Sequence, residues 1–150
     1  MSQIYGKMTN SGETATGKFI LINPNGVLFG DGANINMNSF TVSTLDGTYK
    51  NNKLSLKANP NSSPTIYIKN NVKIHGENNV TLVAGDTIGI RKSKISTGKA
   101  GNVELVTSDG VNFTYSEKGK VSRIYKMIDY VYFKTYGVKY VSFSYFITKF

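Results

Sequence analysis

The sequence has no cysteine and no tryptophan, and only three prolines, one histidine and nine acidic residues among 150. Without cysteine there is no disulfide, no thiolate metal site and no cysteine nucleophile. That fits an exported protein that avoids oxidation chemistry, although cytosolic chains can lack cysteine too. The single histidine, His75 in "KIHGEN", excludes a His–His zinc pair and has no sequence neighbours from which to build a triad. It is expected as an exposed residue beside a turn. No run of about 18 apolar residues occurs, so no transmembrane helix is expected. After Met1, "SQIYGKMTNSGE" lacks a basic segment followed by an apolar one, so no signal peptide is expected in this chain. Helical periodicity does not persist anywhere.

What remains is strand and turn. The length suits one domain with a real core. Hydrophobic residues are 39% of the chain, few enough that turns and polar ladders must take much of it. Short runs of Val, Ile, Thr, Tyr and Phe indicate an all-β fold. Expected strands are 19–23, 27–30, 34–37, 40–44, 65–68, 72–76, 79–85, 87–90, 94–97, 102–108 and 111–116. Between them lie turn signals: Asn-Pro-Asn-Gly, Asp31-Gly32, Asp46-Gly47, Asn70-Asn71, Asn78-Asn79, Gly85-Asp86 and Asp109-Gly110.

An internal repeat decides between β architectures. "NVTLVAGD" from Asn79 aligns with "NVELVTSD" from Asn102, and Phe19 in "KFILIN" aligns with Phe40 in "SFTVST". A period in the low twenties is the length of one solenoid coil. Val80 should then stack over Val103 and Leu82 over Leu105 inside, with Asn79 over Asn102 at a corner. A hairpin sandwich would not place like residues at one period.

The formal charge is +9, with the lysines scattered through the turns and one cluster at Arg91-Lys92-Ser93-Lys94. Solvated turns and guarded strand edges account for most of them. Basic and aromatic residues are not interleaved in the first 120 residues, so no nucleic-acid partner is expected. From Val121 the composition changes. Six of the ten tyrosines and four of the eight phenylalanines fall in 121–150, with five basic residues and one acid. This divides the chain into 1–120, a β-helical region, and 121–150, an atypical basic aromatic tail. Three readings of the tail stand: strands that cover the open end of the solenoid, a non-native ending from truncation or a changed reading frame, or a membrane-surface segment. We favour the second, because the preceding pattern stops without a closing element.

Asn23-Pro24-Asn25-Gly26 fits a type I turn position by position, and Pro24 drives Asn23 toward an extended conformation. With its flanks, "FILINPNGVLFGDGANINMNSFTVSTLD" resembles the secretion domain of two-partner-secretion exoproteins, the filamentous haemagglutinin and high-molecular-weight adhesin family, also known as the haemagglutination activity domain. The marks are the apolar run before Asn23, the Phe29-Gly30 pair, the Ala33/Ile35 strand, and Phe40 leading to Ser43-Thr44. Ser2, Ile4 and Gly6 match upstream, and "NVTLVAGDTIGI" is similar to later coils. The resemblance spans about 2–116. Val27 stands where isoleucine is more usual, and the tail does not look like further coils.

The resemblance implies a right-handed parallel β-helix (a β-solenoid) with short extra strands, at the front of a large secreted adhesin or toxin. It implies a non-catalytic export address, recognised by an outer-membrane β-barrel transporter with periplasmic domains, and a secreted or cell-surface destination. It assigns recognition to Asn23, Pro24, Asn25 and Gly26. A host-cell receptor or glycan would belong to a passenger absent from this chain, which reads as a fragment.

Because β-helices also include polysaccharide lyases and hydrolases, an enzyme is the alternative, with a basic surface-binding fragment as a third reading. A glycosidase needs two carboxylates on one groove and a lyase needs clustered acids for calcium. Asp31, Asp46 and Asp109 each precede glycine, and turn roles explain them. Asp86 and Asp109, at equivalent repeat positions, make a thin metal site. Gly26, Gly30 and Gly32 are not followed by the Gly-Lys-Ser/Thr of a phosphate loop. No enzyme, cofactor or metal is expected. Asn23 and Asn25, or Asn34, Asn36 and Asn38, could form amide ladders along the coils.

Overall fold

The computed structural model describes residues 1–10, 17–59, 65–99, 101–108 and 110–116, with the backbone of 121–126, 132–136 and 140–148. The strands are β1 (Ser2–Ile4), β2 (Lys7–Thr9), β3 (Lys18–Ile22), β4 (Val27–Phe29), β5 (Asn34–Ser43), β6 (Asp46–Lys50), β7 (Lys53–Lys57) and β8 (Thr65–Ile68). They continue with β9 (Lys73–Ala84), β10 (Thr87–Thr97), β11 (Asn102–Thr107), β12 (Gly110–Tyr115), β13 (Val121–Lys126), β14 (Tyr132–Tyr136) and β15 (Tyr140–Thr148).

Three parallel ladders make three faces. On the first, β1, β4, β8 and the start of β10 lie in order. The second carries β2, then the first halves of β5 and β9, then the end of β10. On the third are β3, the second halves of β5 and β9, and β11. Four coils therefore stack as a parallel β-helix. The anticipated columns are all present: Asn79 pairs with Asn102, Val80 with Val103, Leu82 with Leu105, and Phe19 with Phe40. The rings of Phe19 and Phe40 stack with centroids 5.5 Å apart, and Phe29 meets Phe40 edge-on at 6.1 Å.

Alternation sets which side chains go inside. Val27, Phe29, Ile35, Ile66, Ile68, Ile74, Ile88, Ile90 and Ile95 join Phe40, Val80, Leu82 and their columns in the central core. Each such side chain contributes about 1.5–3 kcal/mol when fully buried. The third face is buried on its outer side as well. A four-stranded antiparallel sheet, in the order β13-β12-β7-β6, packs over it. Leu45, Leu54, Leu56, Val83, Val106, Val111, Phe113 and Tyr115 form this second core, flanked by Ile20 and Ile22.

The hairpin β6–β7 was not anticipated, nor were β1 and β2. Asp46-Gly47, read as a turn, instead opens β6. Glycine is needed there because a Cβ would meet Leu56 Cδ2 at 2.5 Å and Ser55 O at 2.8 Å. The reversal lies at Asn51 and Asn52, both left-handed with φ of 52° and 59°, the pair of positive φ values a two-residue hairpin requires. The turn expected at Asn78-Asn79 does not form. Both lie inside β9, because Asn79 is buried and donates to Thr81 Oγ1 at 2.8 Å while accepting from Ser39 Oγ. Strands expected as separate pieces therefore run continuously through this corner, in β5 and again in β9.

Left-handed residues gather where the first face turns into the second. Gly32, Asn71 and Lys92 have φ of 78°, 58° and 37°, each two residues ahead of its second-face rung, and Gly6 (86°) precedes Lys7 in the first coil. Gly32 N donates to Asn70 O and Asn71 N to Lys92 O, both at 3.1 Å, which ties the corners together. At the far end, β14 runs antiparallel along β11 and β15 antiparallel along β10, so the free edges of the last coil are paired.

Candidate functional site

The corner 23–26 joins the third face of the first coil to the first face of the second. The β3 strand stops at Ile22 because Pro24 has no N–H and holds Asn23 extended. Asn23 N still donates to Ser43 O at 2.9 Å, and so stays on the ladder. Its Oδ1 accepts the Asn25 N–H at 2.9 Å, and its carbonyl accepts the Gly26 N–H at 3.0 Å. Gly26, with φ of 98°, then turns the chain into β4. Two bonds reach back to the first strand: Asn23 Nδ2 donates to Ser2 Oγ at 2.7 Å, and Ser2 N donates to Gly26 O at 3.0 Å.

The four residues expected to form one recognition motif are thus together but unlike in role. Gly26 is buried, Asn23 and Pro24 are half-buried, and Asn25 is exposed. The same local device recurs at later corners. Ser43 Oγ accepts from Leu45 N at 2.9 Å, and Ser108 Oγ from Gly110 N at 3.1 Å. There the third residue is buried; at Asn23 it is the exposed Asn25. None of the four residues titrates, so what the corner offers is shape and amide hydrogen bonding.

An asparagine link exists, though not the ladder anticipated. Asn78 Nδ2 donates to Asn38 Oδ1 at 2.9 Å, and Asn38 Nδ2 to Gly17 O at 3.2 Å. Asn34 and Asn36 instead face outward, exposed on the second face.

His75 lies in β9, half-buried, and not beside a turn. Its Nδ1 is 2.8 Å from Ser96 Oγ, and its Nε2 is 3.1 Å from Glu77 Oε2. Sequence neighbours could not reveal this, because Ser96 arrives from the next coil, where Ser96 pairs with His75. The serine sits within a ladder whose backbone N–H groups are already paired, so no oxyanion donors converge on it. It serves as a link between coils.

The acids Asp31, Asp46, Glu77, Asp86 and Glu104 lie on separate turns and strands. Among the described residues no three His, Asp or Glu side chains come near enough to hold a metal. Asp109, the partner proposed for Asp86, lies outside the described residues. A groove of about 470 Å³ on the first face is bordered by Leu28, Asp31, Tyr67, Lys69, Gly89 and Arg91. It holds one carboxylate, whose Oδ1 already accepts from Asn70 N at 3.0 Å, and so lacks the acid pair of a glycosidase.

Compared with known families, residues 1–124 match the TPS secretion domain. The chain belongs to that family. Neither curated proteins nor solved structures give a match. A TPS secretion domain is the transport-related part of a secreted exoprotein, and its partner is an outer-membrane two-partner-secretion transporter. The match to the TPS domain covers all four coils, the hairpin, β12 and the start of β13.

Proposed function

We propose that this TPS domain is the non-catalytic export address of an adhesin- or haemagglutinin-like exoprotein, and that the corner Asn23-Pro24-Asn25-Gly26 is what the transporter's periplasmic domains capture. The observation that carries this reading is the exposed Asn25 on a corner fixed by Asn23. A side-chain amide held out on a clamped turn costs little entropy to dock. Receptor or glycan binding on the host cell falls to a passenger outside this chain. The β-helical carbohydrate-active alternative is weaker, since the first-face groove offers one acid where two are needed. We also propose that the chain divides near Lys120; the antiparallel backbone pairing of β14 and β15 along the last coil supports a covering role for 121–150 over the non-native ending that composition alone favours.

The test is export of the full-length exoprotein by its transporter, with circular dichroism of the isolated domain. Asn25→Ala should cut secretion by about tenfold, the worth of one well-placed hydrogen bond, while leaving the fold unchanged. Undiminished secretion of that variant would remove the corner from the recognition surface.

A further inference from the structure

We propose that two copies of this chain join through the edge of β6, antiparallel about a two-fold axis at Thr48. Among the described strands β6 pairs with β7 alone, and all five of its residues are exposed. It contains no proline, and its register with β7 runs without a bulge. Two devices that blunt a strand edge are therefore missing. Counting back from the reversal at Asn51 and Asn52, the pairs made by Lys50, Thr48 and Asp46 are the ones that bond across to β7. The N–H and C=O groups of Gly47 and Tyr49 then point the other way, out of the edge of the sheet.

The order Asp46-Gly47-Thr48-Tyr49-Lys50 is self-complementary. Turned about Thr48, it sets Asp46 against the second copy's Lys50, Gly47 against its Tyr49, and Lys50 against its Asp46. Gly47 and Tyr49 are the residues whose backbone groups face outward, so the pairs they form are the ones that can exchange N–H···O bonds, as an antiparallel ladder requires. Asp46, Thr48 and Lys50 alternate to the outer side of the sheet, where opposite charges on facing positions are stabilising. Within the hairpin Lys50 stands opposite Lys53, a like-charge pair that a carboxylate on the other side of Lys50 offsets. On the inner side Tyr49 is still 43% exposed, although its ring meets Tyr115 edge-on. Gly47 lies on that same side, where a Cβ would point at Leu56, and an aromatic ring across an edge glycine covers it. An unrelated strand would have to carry acid, glycine, aromatic and base in this order; a second copy does so by symmetry. Such a contact is isologous and closes at two copies. This proposal stands apart from the export reading.

One strand pair is a small interface, so the dimer should be weak, half-formed at about 100 µM. The experiment is sedimentation velocity of the full chain across that range, with circular dichroism to confirm that each variant folds. Asp46→Lys sets lysine against lysine at both ends of the pairing, and Lys50→Asp sets acid against acid. Each should weaken the dimer by at least about tenfold, at about threefold for each of the two charge pairs lost. Asp46→Lys and Lys50→Asp combined in one chain keep both pairs with their senses exchanged, and should bring dimerisation back to within about threefold of the parent. Mixed in equal amounts, the two single variants should pair with each other more tightly than either pairs with itself. The proposal is overturned if the parent stays monomeric at about 1 mM, if the single variants dimerise as the parent does, or if neither the double variant nor the mixture regains the dimer.

Discussion

Asn23 Nδ2 donates to Ser2 Oγ at 2.7 Å, so the first corner of the helix is tied to the first strand by a side chain 21 residues away. The same amide's oxygen holds the turn itself by accepting from Asn25 N. One residue therefore carries two jobs that are both structural, while its neighbour Asn25 faces solvent.

That division predicts a split between stability and export. Asn23→Ala removes two hydrogen bonds and should destabilise the domain by about 1–2 kcal/mol, or about 5 °C in Tm. Asn25→Ala should change stability by less than about 0.5 kcal/mol, as an exposed substitution does. Thermal melts of the two variants check this. Equal melting temperatures would mean that Asn23 does not clamp the corner.

Much of the helix could be read in advance, because the repeat supplied a ruler. Once Asn79 is set against Asn102, the columns through Val80 and Leu82 follow, and Phe19 falls under Phe40. The ruler failed where the chain departs from it. The second coil is lengthened by the hairpin β6–β7, so Val27 pairs with Ile66, 39 residues on. In that hairpin every residue of β6 is exposed, which erases the alternation a strand would show. The strands β1 and β2 have three residues each, too short for any period. The corner 23–26 was legible as a turn from Pro24 and Gly26 alone. Its anchor at Ser2, and the meeting of His75 with Ser96, were not, since each depends on a neighbour one coil away.

The left-handed corner column predicts opposite effects of glycine and alanine. Lys92 holds φ of 37° with a side chain, where its equivalent in the second coil is Gly32 at 78°. A left-handed conformation costs a non-glycine residue roughly 1–2 kcal/mol. Lys92→Gly should therefore raise the urea midpoint, by about 1 kcal/mol in unfolding free energy, and Gly32→Ala should lower it by a similar amount. A fall with Lys92→Gly would show that the corner is not strained.

Gly76 is a different case, since it demands space and not an unusual φ. It lies within β9, and a Cβ there would overlap the carbonyl oxygen of Asn79. Backbone cannot swing aside as a flexible side chain can. Gly76→Ala should cost about 3 kcal/mol, at the upper end of overpacking changes. Its expected signature is loss of cooperative unfolding near the corner that Asn38 and Asn78 link. A variant as stable as the parent would mean that this bend can relax.

Tyr115 predicts an alkaline limit to stability. Its ring is buried in the second core, edge-on to Tyr49 at 5.7 Å, and its hydroxyl lies 2.6 Å from Thr41 Oγ1. Burial pushes its pKa well above the ordinary tyrosine value; the Thr41 bond opposes this and Tyr49 adds to it. A raised phenol pKa means that the folded state resists ionisation. This contribution to stability is fully present below the unfolded value of about 10 and is lost as pH climbs past it, by up to about 1.4 kcal/mol per pH unit. Tyr115→Phe cannot ionise, so its alkaline loss should be shallower than the parent's. At neutral pH it should be less stable by about 1–2 kcal/mol, because Thr41 is left buried without its partner. Urea unfolding of both proteins at neutral pH and above about pH 10.5 separates the two effects. Parallel losses in the two proteins would mean that Tyr115 is not the group being titrated.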